Sequence, residues 1–283
     1  MRVEKFVADR STRIALLIQD KCGLSYNFVQ KVLRSKDVKI NGSRVSKDVS
    51  VNVGDEVWVY LADEVGKVDV LFEDENIVVV FKKRQIETVS DDGNDLLSKV
   101  CSQLNKQCYA VHRLDRNTEG LVVFAKNLKA KASLDLAFKN RTIEKKYLAL
   151  VYGMINSDTY SAYLKKDSHN SLVYISDCEL PKYEKIITKV RVLKSSEELS
   201  LIEVDLVTGK THQIRAHLAH LGSFVLGDEK YGNSKINKTF KKKFQCLCAY
   251  KIKFKFSKGD FLENLNGKIV SIDKSKIDFC KIM

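Results

Sequence analysis

The sequence predicts an α+β fold, in which a small N-terminal α/β domain at residues 1–62 precedes a larger domain at residues 68–283. In the larger part, long strand-type segments are interspersed with helical segments and do not form repeated β-α-β units. We therefore expect a mixed, mostly antiparallel β-sheet with flanking helices. Residues 63–67 separate the two parts, and we predict a short linker there.

The N-terminal domain is predicted to begin with two helices and to continue with strands. Ser11 and Ser25 are the predicted N-caps, and Gly23 separates the two helices. The segment 38–40 leads into Asn41–Gly42, a dipeptide that strongly indicates a β-hairpin. The apolar stripes expected on the helices are Ile14, Leu17 and Ile18 on the first, and Phe28, Val29, Val32 and Leu33 on the second.

The larger domain contains apolar runs typical of buried strands at residues 76–81, 121–125 and 146–151. Between residues 202 and 206, apolar residues alternate with two acids, which predicts a strand that is solvated on one face. Asn127 is the predicted N-cap of a helix that follows the second of these strands.

The charge distribution points to a polyanionic partner. The chain of 283 residues carries a formal net charge of +13. Basic residues exceed acidic ones by 11 to 7 in residues 1–60 and by 14 to 4 in residues 230–283, while the middle is near neutral with 24 and 25. A solvated, lysine-rich surface without a function is the alternative interpretation.

Other features limit the possible classes of protein. Seven cysteines without a CxxC pair indicate reduced thiols, and no run approaches the roughly 18 apolar residues of a membrane span. His217 and His220 lie three positions apart, but no third ligand stands at a useful spacing, so no metal is expected. We expect a cytoplasmic monomer that does not bind membranes.

Residues 112–121, His-Arg-Leu-Asp-Arg-Asn-Thr-Glu-Gly-Leu, form the most informative segment. Asp115 stands between Arg113 and Arg116, and a Thr-x-Gly turn leads into the apolar run that ends at Ala125. A carboxylate flanked by cations stays ionised and is able to act as a nucleophile or a base. The strand predicted after it would hold this acid on a rigid support.

This segment resembles the catalytic motif HRLDxxTSGL of the RluA-type RNA pseudouridine synthases, with Glu119 at the position of the usual Ser. In the family, the first block continues with Lys-Pro-x-Gly, whereas residues 82–85 contain neither Pro nor Gly, so we expect this loop to differ in shape. The other blocks that resemble the family are residues 72–80, 144–153, 209–222 and 226–232.

The resemblance implies an isomerase that converts uridine to pseudouridine within an RNA chain, without a cofactor or metal. It implies that Asp115 either attacks C1′ or removes a C2′ proton. Tyr147 is implied to stack on uracil with its hydroxyl near C5, and Arg215 to be the cationic partner of Asp115. The structural alternatives are a turn residue for Asp115, a core aromatic for Tyr147 and a surface arginine for Arg215.

Further roles follow from the same resemblance. Arg113 is expected to fill the base stack vacated by the target uridine or to contact the RNA backbone, and Arg116 and Lys210 to contact phosphates. Leu206 is expected to form an apolar wall of the uracil pocket. The residues expected to support the active site are His112, Leu114, Thr118, Gly120 and Leu206.

Residues 1–62 resemble a small RNA-binding domain first described in a bacterial ribosomal protein, with matching segments at 24–33, 38–42 and 53–57. Since this domain commonly accompanies the large-subunit enzymes of the family, ribosomal RNA is favoured over transfer RNA as the substrate. A catalytically silent RNA-binding or ribosome-assembly factor is the alternative function. The expected phosphate contacts of this domain are Lys31, Arg34, Lys36 and Lys39.

Overall fold

The computed structural model describes residues 2–24, 26–61, 67–91, 93–167 and 169–282. The chain forms two compact units. The first comprises Met1–Val80, Ile86–Arg113 and Val123–Lys131, and the second comprises Phe81–Gln85, Leu114–Val122 and Ala132–Met283.

Residues 2–61 of the first unit contain two helices and six strands with an apolar core of their own. Strands β1, β6, β3 and β4 form an antiparallel sheet in this order, and β2 pairs with β5. The elements are β1 Arg2–Val7, β2 Thr12–Arg13, α1 Ile14–Cys22, α2 Tyr26–Arg34, β3 Val38–Ile40, β4 Ser43–Val45, β5 Ser50–Val51 and β6 Glu56–Leu61.

The predicted apolar stripes of α1 and α2 are confirmed, because their residues are buried in or packed against this core. The prediction that Ser11 caps α1 is wrong. Arg13 occupies the N-cap position without a side-chain hydrogen bond, and Asp48 from the loop before β5 accepts a hydrogen bond from the Ala15 amide at 3.0 Å instead. Ser25, the predicted cap of α2, lies outside the described residues.

The predicted hairpin is confirmed: β3 and β4 pair across Asn41 and Gly42, whose φ angles of 48° and 81° suit a two-residue hairpin turn. Of the predicted linker, only Lys67 belongs to the described residues. The domain boundaries at residues 62 and 68 therefore stay a prediction.

The rest of the first unit contains β7, the beginning of β8 and a short strand, β9. Strand β9 pairs with the end of β10. Asn127 accepts a hydrogen bond from the Ala130 amide at 2.8 Å, which confirms it as the N-cap of α4. The elements are β7 Asp69–Glu73, α3 Leu96–Leu104 and β9 Tyr109–Ala110, together with β8 Ile77–Lys82, β10 Glu119–Ala125 and α4 Leu128–Lys139, which lie only partly in this unit.

The second unit is built on a large, mostly antiparallel sheet, as predicted from the sequence. Its strands follow the order β13-β12-β14-β15-β11-β16-β10, with β17 on β16; the pairing of β10 with β16 is parallel. The elements are β11 Glu144–Tyr152, β12 Asp158–Asp167, β13 Leu172–Ser176, β14 Glu184–Ser195, β15 Leu199–Leu206, α5 Gln213–His220, α6 Ser234–Thr239, β16 Leu247–Lys253 and β17 Ile269–Ser271. Short 3₁₀ helices cover Glu263–Leu265, Lys274–Lys276 and Asp278–Lys281.

The prediction that β15 is solvated on one face is wrong, because residues 199–204 are all buried. Glu203 is only 5% exposed, and Lys146 and Arg191 each approach its carboxylate to 3.0 Å. The hydroxyl of Tyr250 donates a further hydrogen bond to Glu203. The charge of Glu203 is therefore balanced inside the protein, whereas the sequence pattern predicted a solvent-exposed face.

Among the described residues, no helix has the length and apolar character needed to cross a membrane. All seven cysteines, each of them in a described part of the chain, carry free thiols.

Candidate active site

The Asp115 segment forms a tight turn at the start of β10. The Thr118 amide donates to the Asp115 carbonyl at 3.0 Å, and the buried Thr118 hydroxyl accepts a hydrogen bond from the Gln245 side-chain amide. Gly120 has a φ of 128°, and a Cβ at this position would lie 2.3 Å from the Ala249 carbonyl oxygen. Glycine therefore allows β10 to approach β16 directly behind the turn.

Arg215 joins two carboxylates. Its Nη1 donates to Oδ2 of Asp115 at 2.8 Å, while Nε and Nη2 donate to Oδ2 and Oδ1 of Asp228 at 2.6 and 3.0 Å. Asp228 is 1% exposed, and Arg215 8%. The bidentate pair with Asp228 fixes the orientation of the guanidinium, whose remaining side faces Asp115.

The charges of this cluster are mutually stabilised. Burial alone would raise the pKa of Asp228, but the hydrogen bonds and charge of Arg215 outweigh it and the pKa is lowered. Burial would lower the pKa of Arg215, but its two carboxylate partners raise it above the usual value. Arg215 therefore stays a cation and Asp228 an anion throughout the physiological range.

His212 is a second neighbour of the Asp115 carboxyl group. Its Nε2 is 3.8 Å from Asp115 Oδ2, and its Nδ1 is 2.8 Å from the hydroxyl of Tyr231, which itself accepts from the Val173 amide. Burial lowers the pKa of His212, with Asp115 acting in the opposite direction. If the neutral His212 ring accepts a hydrogen bond from the Tyr231 hydroxyl at Nδ1, its own proton is on Nε2, the nitrogen that is nearer to Asp115.

Tyr147 is 5% exposed on β11, and burial followed by the charge of Asp115 raises its pKa above the usual value. Its strand neighbours are Val204 on β15 and Ala249 on β16. Leu206 lies two residues beyond Val204 and therefore on the same face of the sheet, as expected for a wall of the same pocket. The structure thus brings Asp115, Arg215 and Tyr147 together.

Residues 82–85, at the end of β8 and directly after it, contact the Asp115 turn and the start of β10. The buried Lys82 ammonium donates to the Arg116 carbonyl at 3.0 Å, and Arg116 Nε lies 3.5 Å from the Gln85 carbonyl oxygen. Arg84 Nη2 donates to Glu119 Oε1 at 2.7 Å. Gln85 has a φ of 65°, a left-handed conformation that glycine adopts most readily, at the position where the family pattern has Gly.

The other predicted site residues differ in their surroundings. His112 accepts a hydrogen bond from the Val123 amide at 3.0 Å, which ties it to β10, and Leu114 is 5% exposed. Arg113 and Arg116 are exposed. The Lys210 ammonium forms an ion pair with Glu184, which offsets part of the charge predicted to meet phosphate.

In the N-terminal part, Arg34 and Lys36 are exposed, and Lys31 and Lys39 are partly buried. Lys39 belongs to a row across the sheet in which Arg44, Lys39, Trp58 and Lys5 are successive strand neighbours. The Lys5 and Lys39 ammonium groups lie 3.9 and 5.6 Å from the Trp58 ring centroid. Combined cations and aromatic rings are typical of single-stranded nucleic-acid contacts.

Sequence reasoning missed Asp228, His212 and Tyr231 as partners of the central pair. All three lie in segments that resemble the family, but the resemblance gave no role to any of them. It also missed the row around Trp58. The alternation of Trp58 with the buried Val57 and Val59 was the available signal, since it places the ring on the face away from the core.

Among the described residues, no group of three or more His, Cys, Asp or Glu side chains is arranged to hold a metal ion. His217 contacts the Thr188 hydroxyl at 3.0 Å, whereas His220 pairs with Asp177 at 2.8 Å. The two histidines therefore have separate partners.

A family model described as RNA pseudouridylate synthase matches residues 76–220, a range that contains Asp115, Tyr147 and Arg215. The chain belongs to the RNA pseudouridine synthase family. It is an isomerase of the RluA type, as the resemblance of its motifs implied.

Relatives of this pseudouridine synthase carry the same family name. The uncharacterized RNA pseudouridine synthase MG370 of Mycoplasma genitalium is 36% identical over 66% of this chain and 64% of its own length, just under two thirds. The ribosomal large subunit pseudouridine synthase C of Rickettsia bellii is 30% identical over 75% of this chain and 80% of its own. The structure of human RNA pseudouridylate synthase domain containing 1 shares the fold. Its TM-score is 0.62 at 23% sequence identity, and the match covers 78% of this chain and 90% of the human chain.

Proposed function

We propose that this pseudouridine synthase isomerises specific uridines in the RNA of the large ribosomal subunit, with Asp115 as the catalytic carboxylate. The observation that carries the proposal is the 2.8 Å ion pair between Asp115 and a buried Arg215, near the buried Tyr147, whose pKa is raised by burial and by the charge of Asp115. A carboxyl group on a hydrogen-bonded turn near an aromatic ring suits the attack on a nucleotide that has been turned out of its stack.

The reaction breaks the N1–C1′ bond, turns the uracil and joins C5 to C1′; the proton lost from C5 is balanced by one gained at N1. Arg215 and His212 both approach Oδ2 of Asp115. We therefore assign the other oxygen, Oδ1, to the substrate, either as the nucleophile at C1′ or as the base for the C2′ proton. The side chain of Asp115 is 27% exposed, which leaves the carboxyl group accessible to a bound nucleotide.

Tyr147 is proposed to stack on the uracil and to hold it while it turns. Because burial and the charge of Asp115 raise its pKa, Tyr147 stays a neutral phenol at physiological pH. It therefore acts as an aromatic surface and a hydrogen-bond donor, and a group other than Tyr147 must accept the proton that leaves C5 of the substrate.

Ribosomal RNA is proposed as the substrate because the relative from Rickettsia bellii is named for the large ribosomal subunit. The net charge of +13 supports a polyanionic substrate. The row around Trp58, together with Lys31, Arg34 and Lys36, is the proposed second point of RNA contact. We further propose that the enzyme works in the cytoplasm, where the free thiols of all seven cysteines would be kept reduced.

The test is to incubate the purified enzyme with unmodified transcripts of large-subunit ribosomal RNA and of transfer RNA. Pseudouridines are then mapped as carbodiimide-dependent stops of primer extension. We expect new stops in the ribosomal RNA. Stops confined to transfer RNA would overturn the substrate, and tight RNA binding without any pseudouridine would favour the silent assembly factor.

A further inference from the structure

Residues 238–243, here called the lysine segment, have the sequence Lys-Thr-Phe-Lys-Lys-Lys and no acidic residue. Lys238, Lys241 and Lys243 are exposed, and Lys242 is partly buried. None of the four has an ion-pair partner among the described residues. Elsewhere in the second unit, Lys146, Lys210 and Lys255 each pair with a glutamate.

The segment has a defined backbone. The Lys242 amide donates to the Asn237 carbonyl at 2.8 Å, and Lys241 has a left-handed φ of 52°. Phe240 anchors it through an edge-to-face contact with Tyr152 at 6.0 Å between ring centroids. The four ammonium groups are thus carried on a fixed turn, and their mutual repulsion is not offset within the turn.

Both ends of the segment are tied to the active site. On one side, the side chain of the buried Asn237 accepts from the Gly227 amide at 2.8 Å and donates to the Asp228 carbonyl at 3.0 Å. Asp228 in turn holds Arg215. The lysine segment therefore starts from the loop that orients the cationic half of the central pair.

On the other side, Gln245 follows the segment by two residues and is 3% exposed. Its amide donates to the Thr118 hydroxyl, in the turn that begins at Asp115. Burial raises the pKa of the neighbouring Cys246 thiol to about 11, while the charges of Lys242 and Arg84 act in the opposite direction. Lys242 thus lies close enough to Cys246 to influence it, as does Arg84, the partner of Glu119.

We propose that the lysine segment binds the phosphates of the RNA next to the target uridine. This inference rests on the proposed function, because it takes RNA as the substrate. Four lysines on a turn fixed to the loops of both Asp115 and Arg215 would meet the backbone beside the extruded nucleotide. Phosphate neutralises them by charge-assisted hydrogen bonds and releases counterions, which gives affinity without sequence preference.

The test compares a triple variant, Lys241→Gln, Lys242→Gln and Lys243→Gln, with a matched control, Lys165→Gln, Lys185→Gln and Lys189→Gln. The control lysines are exposed and lie on β12 and β14. The probe is a transcript of large-subunit ribosomal RNA with 5-tritiated uridine. Tritium release gives kcat and KM, and fluorescence anisotropy of the labelled transcript gives Kd over a range of salt concentrations.

We expect the lysine-segment variant to raise KM and Kd by about 10-fold or more, with kcat within about twofold of the wild type. The slope of log Kd against the logarithm of the salt concentration should become shallower by about 2, while the slope for the control variant stays close to that of the wild type. Equal Kd and salt dependence in the two variants would overturn the inference. If the wild type itself releases no tritium, the proposed function fails, and the Kd comparison still decides whether the segment binds RNA.

Discussion

Arg84 and Glu119 form an ion pair with 2.7 Å between Nη2 and Oε1, and their side chains are only 27% and 14% exposed. Glu119 replaces the Ser of the family motif, and Arg84 lies in the loop that lacks the family's Pro and Gly. The two departures from the family pattern thus meet beside the turn that begins at Asp115. The carboxylate of Glu119 thus balances the positive charge of Arg84.

This pair predicts a coupled effect on stability. Glu119→Ser restores the family's residue but leaves the guanidinium of Arg84 without its partner, and we expect the free energy of unfolding to fall by about 1–3 kcal/mol. Arg84→Ala should cost a similar amount. The double variant should lose less than the sum of the two, because no buried charge then remains unpaired. Urea unfolding measures the free energy of unfolding of the two single variants and the double variant. Strictly additive losses would contradict the pairing.

Asp228 is predicted to be a positioning residue for Arg215. Asp228→Asn removes the charge that fixes Nε and Nη2, so Arg215 loses its orientation toward Asp115. We expect kcat to fall by about 10²-fold with little change in KM, and Asp228→Glu to recover part of the loss. The control is Asp177→Asn, whose side chain is 79% exposed in its pair with His220. A rise in KM with unchanged kcat would contradict a positioning role.

Glu203 is predicted to make stability depend on acidic pH. Burial would raise its pKa, but hydrogen bonds from Tyr250, Lys146 and Arg191 lower it from 4.5 to about 2. A lowered folded-state pKa means that the stabilisation is complete above about pH 4.5 and disappears as the pH falls toward about 2. Glu203→Gln should therefore be less stable than the wild type by about 2 kcal/mol at pH 7.

The measurement is urea unfolding of both proteins at pH 7 and at pH 3. The difference between wild type and Glu203→Gln should shrink at the lower pH, because the wild-type carboxylate then loses its advantage. A difference that is the same at both pH values would show that Glu203 contributes packing and not charge.

Gly120 is predicted to tolerate no side chain. Its φ of 128° and the 2.3 Å approach of a Cβ to the Ala249 oxygen mean that Gly120→Ala forces β10 away from β16. We expect a loss of more than about 3 kcal/mol in the free energy of unfolding. Gly209→Ala is the matched control, because no atom lies within 4 Å of the position of its Cβ. Equal thermal unfolding of the two variants would refute this account of the turn.

Local sequence patterns predicted the first two helices, the β3–β4 hairpin and the buried strands β8, β10 and β11, and the family resemblance paired Asp115 with Arg215. The run at 121–125 is buried as its composition predicts, and Asn127 caps its helix, because both depend on neighbouring residues. The Asp115–Arg215 pair spans 100 positions, and only the resemblance brought the two together beforehand.

The features that sequence reasoning missed depend on contacts between distant segments. Asp48 caps α1 from 33 positions away, so the nearby Ser11 is not needed. Glu203 has the alternation of a solvated strand, but partners on three other strands neutralise it in the interior. Arg84 and Glu119 are 35 positions apart, and neither shows its partner in its local sequence.

The most direct test of the central claim is single-turnover release of tritium from 5-tritiated uridine in RNA by the wild type and by Asp115→Asn. Asparagine keeps the size of the side chain and removes its charge, and circular dichroism is the check that the variant folds. We predict release by the wild type, and release by Asp115→Asn that is at least about 10³-fold slower. Release at the wild-type rate by a folded Asp115→Asn enzyme would contradict the assignment of Asp115 as the catalytic carboxylate.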